Sequence, residues 1–189
     1  MAGSVVEMNH THDFDECLKK SHDAHDLPIW EQMYRKAFPD MLAMHDHRDD
    51  GYWQRAGIDR SLILRSSKQI LIDEKVRGRN RATGRIYSDV AIEYVSNNIS
   101  GALGWAEKPL AADYIAYAIA PLGKGYLLPV LHFQAAWRKK KETWLLEFGH
   151  REAPNDGYKT LFCPVPVARL FPEIGQQLRV TFDPVEWNE

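Results

Sequence analysis

Asp73, Glu74 and Lys75 stand in a row directly after the apolar residues Ile70, Leu71 and Ile72. If this run is a strand, its side chains alternate, so Asp73 and Lys75 share one face and Glu74 takes the other. A further acid, Asp59, stands at the mouth of the preceding apolar run, which holds Leu62, Ile63 and Leu64. Charged groups at the end of a buried strand are costly unless they are paired or hold a metal ion. Two carboxylates offer oxygen ligands for a hard cation, and an adjacent ammonium can hold a water or offset negative charge.

The elements that must position these groups can be read around them. Residues 57–77 form two short apolar runs joined by a polar turn at 65–68, the pattern of a β-hairpin. Before them, Ile29, Trp30, Met33, Tyr34, Ala37 and Phe38 recur at helical spacing, with Pro28 suited to the first turn and Pro39 ending or kinking the helix. After them, 89–96 reads as the third strand of the same sheet, with Glu93 on the face of Ala91 and Val95. Residues 112–119 and 125–129 read as a second hairpin, 130–141 as a helix, 158–166 as a strand, 168–174 as a short helix and 177–182 as a final strand. The expected fold class is α/β, a central mixed β-sheet flanked by helices. A polar, His- and Asp-rich arm over 1–26 precedes a single domain over 27–189.

The series Asp59, hairpin, Asp73-Glu74-Lys75 resembles the PD-(D/E)XK nuclease superfamily, over roughly residues 31–129. Ile58 stands where the family name has Pro, and Asp73 where Glu is commoner. The resemblance implies a restriction-endonuclease-like fold, of the kind found in phage-type members, and hydrolysis of phosphodiester bonds with Mg²⁺ or Mn²⁺. It implies that Asp59 and Asp73 hold the metal, joined by the backbone carbonyl of Glu74, while Lys75 orients or activates the attacking water. Glu31, on the preceding helix, and Glu93, on the third strand, are carried over as supporting acids.

Between Arg60 and Arg85 there are eight Lys or Arg against two acids, in a chain of net charge −2. Beside a metal site, Arg77, Arg79, Arg81 and Arg85 suit phosphate contacts, which position a nucleic-acid backbone without reading its sequence. Lys108, after Gly104-Trp105, and the run Arg138, Lys139, Lys140 add further basic surface. The nucleic acid expected is DNA rather than RNA. The pairs His10/His12, His22/His25 and His45/His47 have chelating spacings but lack further ligands that would fix a site, so they read as solvated or cleft-rim histidines. Tyr52 and Trp53 either pack on the core or stack on a base.

At 189 residues, 44% hydrophobic and 26% charged, the chain reads as one soluble globular domain. Two cysteines far apart indicate neither a disulfide framework nor a zinc ribbon, and no apolar run is long enough for a membrane span. A cytoplasmic location is the expectation, with a homodimer left open. Two rivals stand beside the nuclease: a non-catalytic nucleic-acid- or protein-binding module on the same fold, such as a phage-encoded factor acting on host machinery, and an enzyme using the His/Asp stretches as a transition-metal site.

Overall fold

The structure, a computed structural model, describes residue 19 and residues 22–188. Its first half runs α1 (Ile29–Ala37), β1 (Met41–Asp46), α2 (Gly51–Arg55), β2 (Arg60–Leu64), β3 (Gln69–Arg77), β4 (Asp89–Asn97) and β5 (Ala102–Leu103). The second half runs β6 (Tyr114–Ile119), β7 (Lys124–Pro129), α3 (Val130–Phe148), β8 (Arg151–Asn155), β9 (Tyr158–Pro166), α4 (Val167–Ile174) and β10 (Leu178–Thr181).

The strands form two sheets. A six-stranded mixed sheet has the order β1-β2-β3-β6-β7-β10, and a four-stranded antiparallel sheet the order β5-β4-β9-β8. The predicted hairpin is β2 and β3, paired antiparallel from Arg60↔Ile72 to Ile63↔Gln69. The second predicted hairpin is β6 and β7. It joins the first through β6, which runs parallel to β3 from Ile72↔Tyr114 to Arg77↔Ile119.

Each face of the larger sheet has its own core. On one face α1 lays Ile29, Trp30, Met33 and Tyr34 on Leu62, Ile70, Ile72, Ala116, Ala118 and Leu127. The approach is close: a Cβ on Gly125 of β7 would stand 2.5 Å from Met33 Sδ. On the other face, Ile115, Tyr117, Ile119 and Leu128 pack with Phe133, Trp137 and Trp144 of α3 and with Val90, Ile92, Cys163 and Val165 of the smaller sheet. Each fully buried side chain of this size contributes about 1.5–3 kcal/mol.

Several expectations are corrected. The strand at Asp89 is present, but it is not the third strand of the central sheet; β4 pairs with β9 and β5, and the place beside β3 belongs to β6. The alternation of buried Val90 and Ile92 shows that one face is covered, and is the same whichever sheet the strand joins. The central sheet is therefore flanked by a helix on one face and by helices plus a second sheet on the other. The helix predicted to end at Lys141 continues to Phe148, carrying Trp144 into the core. Between β1 and β2 stands the short α2, capped by Asp50, whose carboxylate accepts from the Tyr52 and Trp53 amides. Among the described residues, no helix is long and apolar enough to cross a membrane.

Candidate functional site

The two faces of β3 receive its charged residues differently. Glu74 points toward α1 and is buried. Its Oε1 accepts from the Tyr34 hydroxyl at 2.6 Å and from Arg60 Nε at 2.7 Å, and its Oε2 lies 2.8 Å from His25 Nδ1. Arg60 also donates to the carbonyl of His25 and lies 3.5 Å from Asp46, which pairs with Arg48. Burial, reinforced by Glu74, pushes the Tyr34 phenol well above its usual range, so it remains a donor. Burial opposes charge on His25, but the hydrogen bond to Glu74 and the nearby Asp59 outweigh it and raise its pKa above 6.5. Both carboxylate oxygens of Glu74 therefore have partners, and the network ties the start of the described chain to the hairpin.

Asp73 and Lys75 point the other way. Lys75 Nζ donates to Asp73 Oδ1 at 2.7 Å and to the Glu74 carbonyl at 3.0 Å. The second oxygen of Asp73 is buried and has no hydrogen-bond partner. An orphaned carboxylate oxygen in a residue only 4% exposed is unusual and calls for an explanation.

Asp59 stands at the end of the β2–β3 ladder. Pairing stops at Arg60↔Ile72, and beyond it the Asp59 carboxylate replaces the main-chain acceptor: its Oδ2 takes the Glu74 amide at 2.6 Å. Its Oδ1 lies 3.8 Å from His25 Nε2. Glu93 reaches the same region from β4, and Lys108 from the strap that follows β5. Gln134 of α3 holds this strap by donating to the carbonyls of Trp105 and Lys108, while Trp105 stacks on Phe133 at 4.8 Å. At Gly104 the strap touches β4 so closely that a Cβ would stand 2.4 Å from the Glu93 carbonyl oxygen.

The charges of this group act on one another. Burial pushes the Asp73 carboxyl up, against the pull of Lys75, and Asp59 pushes the same way. Burial likewise raises Glu93, against Lys75 and Lys108. Burial works against charge on Lys75, but Asp73, Asp59 and Glu93 overcome it and hold the ammonium above its usual range. Burial thus raises the acids Asp73 and Glu93, while the surrounding carboxylates raise Lys75.

The other candidates lie elsewhere. Glu31 is not part of this group: it is exposed on α1 and pairs with Arg35 at 2.8 Å. Arg77 is buried, 3.1 Å from Asp89, with its guanidinium over the Tyr87 and Phe162 rings. Arg79 is held by Glu186, whereas Arg81 and Arg85 are exposed. Lys139 and Lys140 both pair with Glu173, leaving Arg138 exposed beside them. His47 contacts Ser61 Oγ at 2.8 Å and stacks on Trp53, while His10 and His12 lie outside the described residues. Tyr52 is exposed, its ring edge-on to Trp53. Sequence reasoning gave Tyr34 and Arg60 no place in a site and read His25 as a solvated or cleft-rim histidine, whereas its ring is largely buried against Glu74; the available signal was an arginine inside an apolar strand, which needs a buried acid opposite it.

Beside Lys75 lies a cleft of about 1040 Å³, with Arg77, Arg85, Tyr87, Arg151 and Phe162 among its walls. Among the described residues, no set of three or more His, Cys, Asp or Glu side chains is disposed to enclose a metal ion. No family model, curated protein or solved structure matches this chain.

Proposed function

We propose that the protein is a divalent-cation-dependent nuclease of restriction-endonuclease-like fold, hydrolysing phosphodiester bonds of nucleic acid, DNA before RNA. The observation that carries this reading is the buried, unpartnered Oδ2 of Asp73 beside Asp59 and Lys75. Mg²⁺ or Mn²⁺ fits these residues. Carboxylate and carbonyl oxygens are the donors that hard cations take, and Asp73 offers one that has no other partner. Asp59 and Asp73 would hold the ion, with the Glu74 carbonyl as a further oxygen. A bound cation would polarise the phosphate and lower the pKa of its water.

The role of Lys75 follows from its environment. An ammonium has three N–H donors, and two of them serve Asp73 and the Glu74 carbonyl. The third is available for a water or a phosphate oxygen. Because its pKa is raised, Lys75 stays protonated at neutral pH and acts as a donor and counter-charge, not as a base. Glu93 and Lys108 complete the wall from the second sheet and the strap.

The test is cleavage of plasmid and of labelled DNA and RNA oligonucleotides with Mg²⁺ or Mn²⁺, by the unmutated protein and Lys75→Ala. Cation-dependent cleavage, lost in Lys75→Ala, is the expected result. Robust nucleic-acid binding with no cleavage of any substrate would instead favour a non-catalytic module.

A further inference from the structure

We infer that the cleft beside Lys75 takes an unpaired nucleotide strand, its bases stacking on a ladder of guanidiniums and rings built by Arg85, Tyr87, Arg77 and Phe162. This rests on the nuclease reading of the adjacent site and names the substrate class of that site.

The ladder is formed by three close approaches. The Arg85 guanidinium lies 5.6 Å from the Tyr87 ring centre, and that of Arg77 lies 5.4 Å from Tyr87 and 5.9 Å from Phe162. Tyr87 and Phe162 are half-buried at the cleft wall. Guanidinium planes and aromatic rings are surfaces on which unstacked bases settle, and Arg85, exposed at the outer end of the ladder, is the rung a base reaches first. A duplex keeps its base faces stacked inside, so these rings would have nothing to meet.

Size points the same way. About 1040 Å³ lies just above the usual range for small-molecule pockets and is room for a few nucleotides. Charge agrees as well. The acids at the cleft wall have cationic partners: Glu74 has Arg60, Asp89 has Arg77 and Glu152 has Lys159. Arg85 and Arg151 are exposed and, among the described residues, have no carboxylate partner, so they are available to phosphates. Of the groups assigned to cleavage, Lys75 lies on the cleft wall, so a strand lying along the ladder reaches that site at Lys75.

Fluorescence anisotropy of the full chain in EDTA separates binding from cleavage. Three labelled probes of equal length are compared: single-stranded DNA, the same strand with abasic sites, and duplex. The expected result is that the single strand binds at least about tenfold more tightly than either of the others. Tyr87→Leu and Phe162→Leu should each weaken single-strand binding roughly 5- to 150-fold, the alanine-scanning range for one base–aromatic stack. Should those variants fold poorly, Arg85→Ala and Arg151→Ala at exposed positions should each flatten the salt dependence, by about 0.7 in log–log slope for each phosphate no longer neutralised. Equal affinity for the abasic strand, or preference for duplex, would overturn the inference. Single-strand preference without cleavage of any substrate would sink the nuclease reading and leave the cleft a binding site. Duplex cleavage without single-strand preference would do the reverse.

Discussion

Glu74 and its neighbours Asp73 and Lys75 share one strand, yet the two faces of β3 treat them in opposite ways. On the α1 face, Glu74 has Tyr34, Arg60 and His25, and neither carboxylate oxygen is left over. On the opposite face, Lys75 satisfies one oxygen of Asp73, and the other is buried without a partner. A closed charge network fixes geometry and leaves no carboxylate oxygen for a cation. An open one, with a carboxylate oxygen left over, attracts a cation. The first face holds the chain together and the second is where chemistry is proposed.

Substitutions on the two faces should therefore fail differently. The largest effect expected is on catalysis. Asp73→Asn keeps shape and removes the charge, and should lower cation-dependent cleavage by at least about 10³-fold, matching the several kcal/mol that a bound cation supplies. Its thermal stability should be unchanged or higher, because burial disfavours the charged form that the substitution removes. A cleavage assay paired with a thermal melt reads both.

The converse holds for Glu74→Ala, which leaves the buried Arg60 guanidinium without its carboxylate. Denaturant unfolding should show a loss of about 3–5 kcal/mol, typical of breaking a buried ion pair from one side. If Asp73→Asn were the more destabilising of the two, the assignment of the faces would be inverted.

A smaller effect concerns pH. The folded-state pKa values of Asp73 and Glu93 are raised, so their protonated forms are favoured by the fold. Their burial costs nothing below the ordinary carboxylate pKa of about 4, and the cost appears as pH rises through the raised values. Protons compete with the cation for the same oxygens. Cleavage should thus decline on the acid side at a higher pH than an ordinary carboxylate would give, and Asp73→Glu should move that limb. His25 is raised too, so its stabilising contribution is present at low pH and is lost as pH rises through its folded value.

The smallest effect is expected at Lys139 and Lys140. Both are engaged with Glu173, at the protein surface. Replacing either with Ala should change stability by no more than about 1 kcal/mol and leave the salt dependence of nucleic-acid binding unchanged. A flattened salt slope in these variants would return this run to the binding surface.

The sequence carried much of the framework and little of the pairing. The β2–β3 hairpin was legible because apolar runs flank a polar turn, which Ser67 completes in the left-handed region at φ 64°. The face assignment of Asp73, Glu74 and Lys75 followed from strand alternation alone. Which strand lies beside β3 did not, because a half-buried strand such as β4 reads the same in either sheet. The basic character of 60–85 was plain, but Arg77 is engaged by Asp89 and Arg79 by Glu186, and the latter is far along the chain. The His25–Glu74 contact was hidden for a similar reason: 49 positions separate them, and nothing periodic marks His25. Arg60 was the legible clue, since its register opposite Ile72 puts it on the face of Glu74.

The most direct test of the contrast between the faces is a thermal melt with increasing Mn²⁺, on the unmutated protein, Asp73→Asn and Glu74→Gln. A ligand that binds only the folded state raises the midpoint with concentration, by about 2.7 kcal/mol of stability at a hundredfold excess over Kd. The unmutated protein and Glu74→Gln should both show this rise, the latter from a lower starting point. Asp73→Asn should start no lower than the unmutated protein and show no rise. A Mn²⁺-dependent rise that persists in Asp73→Asn, or one that vanishes in Glu74→Gln, would contradict the assignment of the cation to the Asp73 face.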